Sequence, residues 1–300
     1  MMVFDEVVAT MGISRGQLMM YIIELWDEEY VCNEVLHLGT KDSLAIHSIL
    51  SYEKFLFMAD SFNNKIYKYD LSSKEVYETN VGRDPRHMCM DNKNMYVANF
   101  ESDNISIIDL ESFTLSGSIP AGIKAHDVKY NPINNSLYTT CYEENLLMEY
   151  SIEEGKSRNI KTDGKPMHLF LQEDTIIVMT YYVNGNIQTK INLIDLNEGK
   201  ITDIIVIEGL ISDFQLDYEN NILYMINIMD KCLYMVDAEA KEVIKKLYMG
   251  GYPEAVTIGN CIYVTNSKKQ EITLIDKKGL RIISSVELNF VPDLIKVIHY

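Results

Sequence analysis

The sequence predicts an all-β fold: a seven-bladed β-propeller of four-stranded antiparallel blades, closed by the C-terminal strand joining the first blade. Three observations predict it. One motif recurs seven times at a mean spacing of 42 residues. The runs inside each copy are rich in Val, Ile, Tyr and Thr, which suit a pleated surface. The two ends of the chain complement one another.

The motif is an apolar run ending in a small polar residue, a turn, and a second apolar run ending in Asp. Asp60 and Asp70, Asn99 and Asp109, Asn227 and Asp237, and Asn266 and Asp276 are each ten positions apart. Cys141 and Ser151 keep the spacing with other side chains; Thr180 and Asp195 stand 15 apart, and Thr10 and Glu24 stand 14 apart. The seven closing positions follow one another at 39 to 46 residues. A period in the low forties, made of short β runs, is the length of one four-stranded blade. Seven such repeats make residues 1–300 one propeller domain.

The strands of a copy can be followed in order. After Asp109 come a strand over Phe113 to Ile119, a junction at Ala121-Gly122-Ile123-Lys124 and an inner strand over Asp127 to Tyr130. The polar turn Asn131 to Asn135 then opens the next copy. The recurring polar anchors read as architecture, with small side chains satisfying turn backbone. The first copy lacks an inner strand, and Pro292 to Ile298 is an inner strand with no copy after it. Pairing Val7 to Ala9 with Leu294 to Ile298 closes the ring and removes two sheet edges.

Composition narrows the function classes. Apolar residues make up 47%, enough for a full core and against wholesale disorder. Charge is −17, from 27 Lys and Arg against 44 Asp and Glu. That balance speaks against nucleic acid and against an anionic membrane surface. It favours a cationic ligand, a metal ion or a basic partner. Five separated cysteines without Cys-x-x-Cys read as free thiols of a reducing compartment. No signal peptide opens the sequence, so a cytoplasmic, non-membrane protein is expected.

The motifs resemble the YVTN-repeat β-propeller family. Tyr263-Val264-Thr265-Asn266 carries that signature literally, and Tyr96-Val97-Ala98-Asn99 is a near match. Ile108-Asp109-Leu110, Ile194-Asp195-Leu196, and the Gly-x-x-Pro junctions Gly82 to Pro85 and Gly250 to Pro253 are also similar to the family. The resemblance implies the fold over all seven copies. For function it implies a range: binding modules, lactonase-like enzymes, and haem- or quinone-associated subunits.

Two features mark a candidate ligand site on the face where the inner strands begin. Two loops exceed the period, one after Thr10 with Ser14 and Arg15, the other after Thr180 with Tyr181 and Tyr182. The tyrosines offer stacking surface, and Arg15, one of five arginines, offers a guanidinium for an anionic group. The second feature is the inner-strand starts. His87, His126 and His168 occupy three consecutive junctions; Asp42-Ser43, Asp213, Glu254 and Asp293 occupy the others. Imidazoles would then line one arc of the channel mouth and carboxylates the other. These are zinc-type ligands, but no tight His-x-His spacing exists. Shaping of the strand start is the simpler reading, and no metal or cofactor is assigned. Gly12-Ile13-Ser14-Arg15-Gly16 matches a nucleophile elbow only by chance, because it lies between two strands. The leading expectation is a noncatalytic scaffold that binds a protein or small molecule on its acidic top face. The alternative is a hydrolase resembling lactonases, with a His and carboxylate site at the channel mouth.

Overall fold

The computed structural model describes residues 6–26 and 29–298. Met1 to Asp5, on which the expectation about a signal peptide rests, lie outside them. The described residues form 28 strands, numbered here in chain order, in seven four-stranded antiparallel sheets. Six sheets are continuous in sequence. Their innermost strands are β4 (Ile46–Tyr52), β8 (Pro85–Met90), β12 (Ala125–Asn131), β16 (Lys165–Gln172), β20 (Ile211–Asp217) and β24 (Pro253–Ile258). The remaining sheet joins β28 (Val291–Ile298) to β1 (Glu6–Ser14), β2 (Gln17–Trp26) and β3 (Glu29–Thr40). Val7 pairs with Ile298, Val8 with Val297 and Ala9 with Lys296, so the ring closes as the sequence predicts.

Each blade packs both faces against neighbours, so its second strand is buried along nearly its whole length rather than on alternate residues. All six residues of β21 (Ile222–Asn227) are buried. Apolar clusters span adjacent blades: Tyr138, Leu147 and Ile160 of one meet Leu169, Ile176 and Val178 of the next. The outermost strands face solvent. β23 (Glu242–Tyr248) carries Lys245 and Lys246 there, and such charges discourage edge-to-edge pairing. The polar anchors hold the turns. Asp60 Oδ1 accepts the backbone N–H groups of Ala45, Phe62 and Asn63 at 3.1 to 3.2 Å. Asp237 Oδ1, a closing Asp, accepts those of Glu239 and Ala240 at 2.8 and 2.7 Å.

Two details position the site. First, the six inner strands from β4 to β24 each break register near their start, as between Pro85 and Met88 or between Ala125 and Val128. Such bulges re-aim a side chain. Second, the two over-long segments are paired strand rather than loop. β1 and β2 pair as far as Ser14 and Gln17, and Arg15 and Gly16 make the turn at φ 49° and 79°. β17 (Thr175–Asn184) and β18 (Asn186–Asp195) pair fully around Gly185, at φ 82°. The inserted Met11-Gly12-Ile13 and Tyr181-Tyr182-Val183 are mostly strand-forming residues, so they lengthen hairpins. Among the described residues no helix is long and apolar enough to cross a membrane. All five cysteines are free thiols.

Candidate active site at the channel mouth

The bulges bring four imidazoles together. His47, His87, His126 and His168 come from four consecutive inner strands, β4, β8, β12 and β16. Ring centroids lie 5.0 Å apart for His47 and His87, 5.1 Å for His87 and His126, and 4.6 Å for His87 and His168. Three carboxylates, Asp213, Glu254 and Asp293, come from the next three, β20, β24 and β28. All three carboxylates, with His47, His87 and His168, line a cavity of about 600 Å3 that continues inward past Cys89, Lys129 and Lys296.

His47 was not foreseen. The sequence reading placed Asp42-Ser43 at this junction, but both residues are exposed in the turn before β4. A signal was available. The channel residues of the other copies stand 12 to 15 positions before their polar anchor; His47 stands 13 before Asp60, whereas Asp42 stands 18 before it. Asp127 was also missed as a site residue. It shares the bulge with His126, and its carboxylate is a structural knot. Oδ1 accepts from the Val128 N–H and Lys129 Nζ, both at 2.8 Å, and Oδ2 accepts from the Leu169 N–H of the next blade at 3.1 Å.

The electrostatics separate the two arcs. Burial pushes the His47 imidazole down to about 3, and the adjacent Arg86 guanidinium adds to the effect. Burial likewise holds His87 and His126 well below the usual imidazole range. These rings are therefore neutral at physiological pH. Burial alone would raise Asp127, but the Lys129 ammonium beside it outweighs that effect, and Asp127 stays ionised. Across the channel, burial and then Glu254 push Asp293 up to about 6, and burial raises Asp213. Tautomers follow from the hydrogen bonds. His126 Nδ1 donates to the Met167 carbonyl at 3.1 Å, leaving Nε2 with its lone pair. Arg86 Nη1 donates to His47 Nδ1 at 3.1 Å, which places the His47 proton on Nε2.

The expected site residues fall into two groups. His87, His168, Asp213, Glu254 and Asp293 share the cavity wall, and His126 packs directly behind it. Ser14 and Arg15 lie at the tip of the first hairpin and do not line the cavity. Tyr182 lies on the second hairpin with Lys190 Nζ 3.9 Å from its ring centroid. Tyr181 turns inward, its hydroxyl donating to the Ile211 carbonyl at 2.6 Å.

Fold and site together define a seven-bladed propeller with an imidazole and carboxylate mouth. No family model matches the chain. Three curated proteins named 6-phosphogluconolactonase, from strains of Buchnera aphidicola, are 27% identical over 153 residues. The match covers 47% of this chain and 45% of theirs, so the chain spans about half the length of these relatives. Among solved structures, a putative 6-phosphogluconolactonase from Bacteroides fragilis superposes with a TM-score of 0.73, at 13% identity, over 98% of both chains. Hydrazine synthase from Kuenenia stuttgartiensis gives 0.73 at 17% identity, over 84% of this chain and 89% of that one. The WD40 propeller domain of Doa1 gives 0.72 at 13% identity, over 94% and 93%. These structures share the fold.

The expectation of a noncatalytic scaffold is corrected by these findings. A scaffold would fill its channel with packing side chains. This channel is open, and four imidazoles and an aspartate converge at its mouth. The sequence relatives also carry an enzyme's name rather than a scaffold's.

Proposed function

We propose that the channel mouth hydrolyses a cyclic ester. The carrying observation is the divided wall of the open cavity, with imidazoles on one arc and Asp213, Glu254 and Asp293 on the other. Water attacks the lactone carbonyl carbon and gives its proton to His168, which faces the cavity beside His87. Lys296 lines the cavity without an ion pair among the described residues, and it supplies positive charge to the developing oxyanion. The ring C–O bond breaks, and the leaving alkoxide takes a proton from Asp293. The imidazolium then returns its proton to the Asp293 carboxylate through water, and the sum is one lactone plus one water giving one hydroxy acid. The partial likeness to proteins named 6-phosphogluconolactonase supports this reading.

The test is acid release in a pH-stat from five- and six-membered sugar lactones, with and without a terminal phosphate. The parent should turn over at least one of them. The His87→Ala/His168→Ala and Asp293→Asn variants should be slower by at least about 100-fold. No release above background with any lactone, or variants as fast as the parent, overturns the proposal.

We further propose that the chain is a divergent YVTN-repeat protein acting as one domain. The literal Tyr263 to Asn266 signature supports the first statement, and the continuous ring supports the second. The five free thiols support a reducing, cytoplasmic setting. Ser14, Arg15 and Tyr182, on hairpins that extend past the inner-strand starts, are proposed to meet the distal part of a ligand, and Tyr181 to brace the hairpin behind it.

A further inference from the structure

We propose that His87, Asp127 and His168 bind a divalent transition ion of the zinc class. Each offers one ligand atom, and the three atoms lie within 4.8 Å of one another. They come from the bulges of three consecutive inner strands, so backbone holds them in place. His168 Nδ1 stands 3.8 Å from Asp127 Oδ2. That is too long for a hydrogen bond. It is close to the roughly 3.3 Å between two donors on one tetrahedral ion with bonds of about 2.0 to 2.1 Å. His87 Nε2 is buried with no hydrogen-bond partner among the described residues. An orphaned buried nitrogen beside a carboxylate and a second imidazole has its lone pair or proton left for a further partner, and an ion satisfies it.

The surroundings favour this set. Lys129 and the Val128 N–H hold Asp127 Oδ1, and the Leu169 N–H orients Oδ2, which keeps a lone pair for an ion. His126 donates Nδ1–H to the Met167 carbonyl and packs its ring 4.9 Å from His168. His47, His87 and His126 also have ligand atoms within 4.8 Å of one another, but they suit an ion less. The Arg86 guanidinium occupies the His47 Nδ1 lone pair and sets a positive charge beside it, with no carboxylate in the set. Two imidazoles and one carboxylate leave coordination positions open, and all three residues line the cavity.

Ion binding is read without substrate; with the ion in place His87 and His168 are its ligands and no longer accept a proton, so the hydrolytic reading describes the ion-free protein and the two are tested separately. The protein is stripped with chelator, dialysed and titrated with Zn2+ by calorimetry and with Co2+ by visible absorption. One ion per chain should bind, with a Co2+ spectrum of nitrogen and oxygen ligation. His87→Gln and His168→Gln should each weaken binding by at least about 100-fold, since even outer-shell changes cost 10- to 100-fold. Asp127→Asn should do the same. Because Asp127 also ties backbone, its variant is read together with the two histidine variants, whose side chains tie none. His37→Ala, on an exposed side chain of β3, and His47→Ala should bind like the parent. No stoichiometric binding, or loss in His47→Ala with retention in Asp127→Asn, overturns the assignment. Binding without lactone turnover would remove only the hydrolytic proposal; turnover by a stripped protein that takes up no ion would remove only this one.

Discussion

Asp293 is the residue whose chemistry differs most from its sequence neighbourhood. On the page it is one acid among 44. In the ring, burial and the facing Glu254 carboxylate push it up to about 6. A carboxyl raised on folding is a stability cost once it ionises. Its favourable contribution is whole below the unfolded value near 4 and disappears as pH rises through about 6. Asp293→Asn should therefore melt like the parent below about pH 4 and above it at pH 7 to 8. Thermal denaturation across that range checks the sign; a constant offset at every pH would mean that packing, not charge, sets the difference. The same ring shows why single residues were only partly legible. His87, His126 and His168 could be found because Pro, or a Gly-containing junction, precedes each of them. His47 has no such marker, and only its distance to Asp60 gives it away. Nothing in the spacing of residues about 40 positions apart says that their rings touch; the bulges decide that.

At the scale of elements, the blade pattern was legible because anchor and closing Asp both perform backbone chemistry at fixed distances. The hairpins were not, because an insertion has no intrinsic shape. Met11 to Ile13 and Tyr181 to Val183 exceed the period, and excess length reads as loop until the partner strand is seen. The first hairpin also shows a tight seam. Gly12 on β1 faces Phe290, just before β28, and a Cβ built on Gly12 would lie 2.2 Å from the Phe290 ring. Phe290 stacks on Tyr21 of β2 with centroids 3.6 Å apart, so it cannot retreat freely. Gly12→Ala should therefore cost about 1 to 3 kcal/mol by overpacking. Chemical denaturation measures it, and adding Phe290→Leu should recover part of the loss. A single variant as stable as the parent would show that the seam yields without cost.

For the whole molecule, closure by β28 ties stability to the site. The strand buries Ile295, Val297 and Ile298, and its Leu294 carbonyl accepts from Thr10 Oγ1 at 2.7 Å. Removing residues 291–300 takes away that burial, exposes β1 as an edge and deletes Asp293. The full chain should melt in one transition. The truncated chain should lose several kcal/mol, since burying each large apolar side chain is worth about 1.5 to 3 kcal/mol. Equal melting of the two would refute closure as a source of stability. The order of the strands has one more effect, during translation. His47 leaves the ribosome early and the other imidazoles follow, but Asp293 comes after some 290 residues. At about 5 to 20 residues per second, β1 waits roughly 15 to 60 s for its partner. Throughout that interval the nascent chain presents an unpaired, apolar edge at Val8, Ala9 and Met11, and its channel lacks a wall. A half-made copy is thus sticky and lacks part of its candidate site at once. The covering of that edge and the completion of the cavity wall are set by the same late event, the arrival of β28.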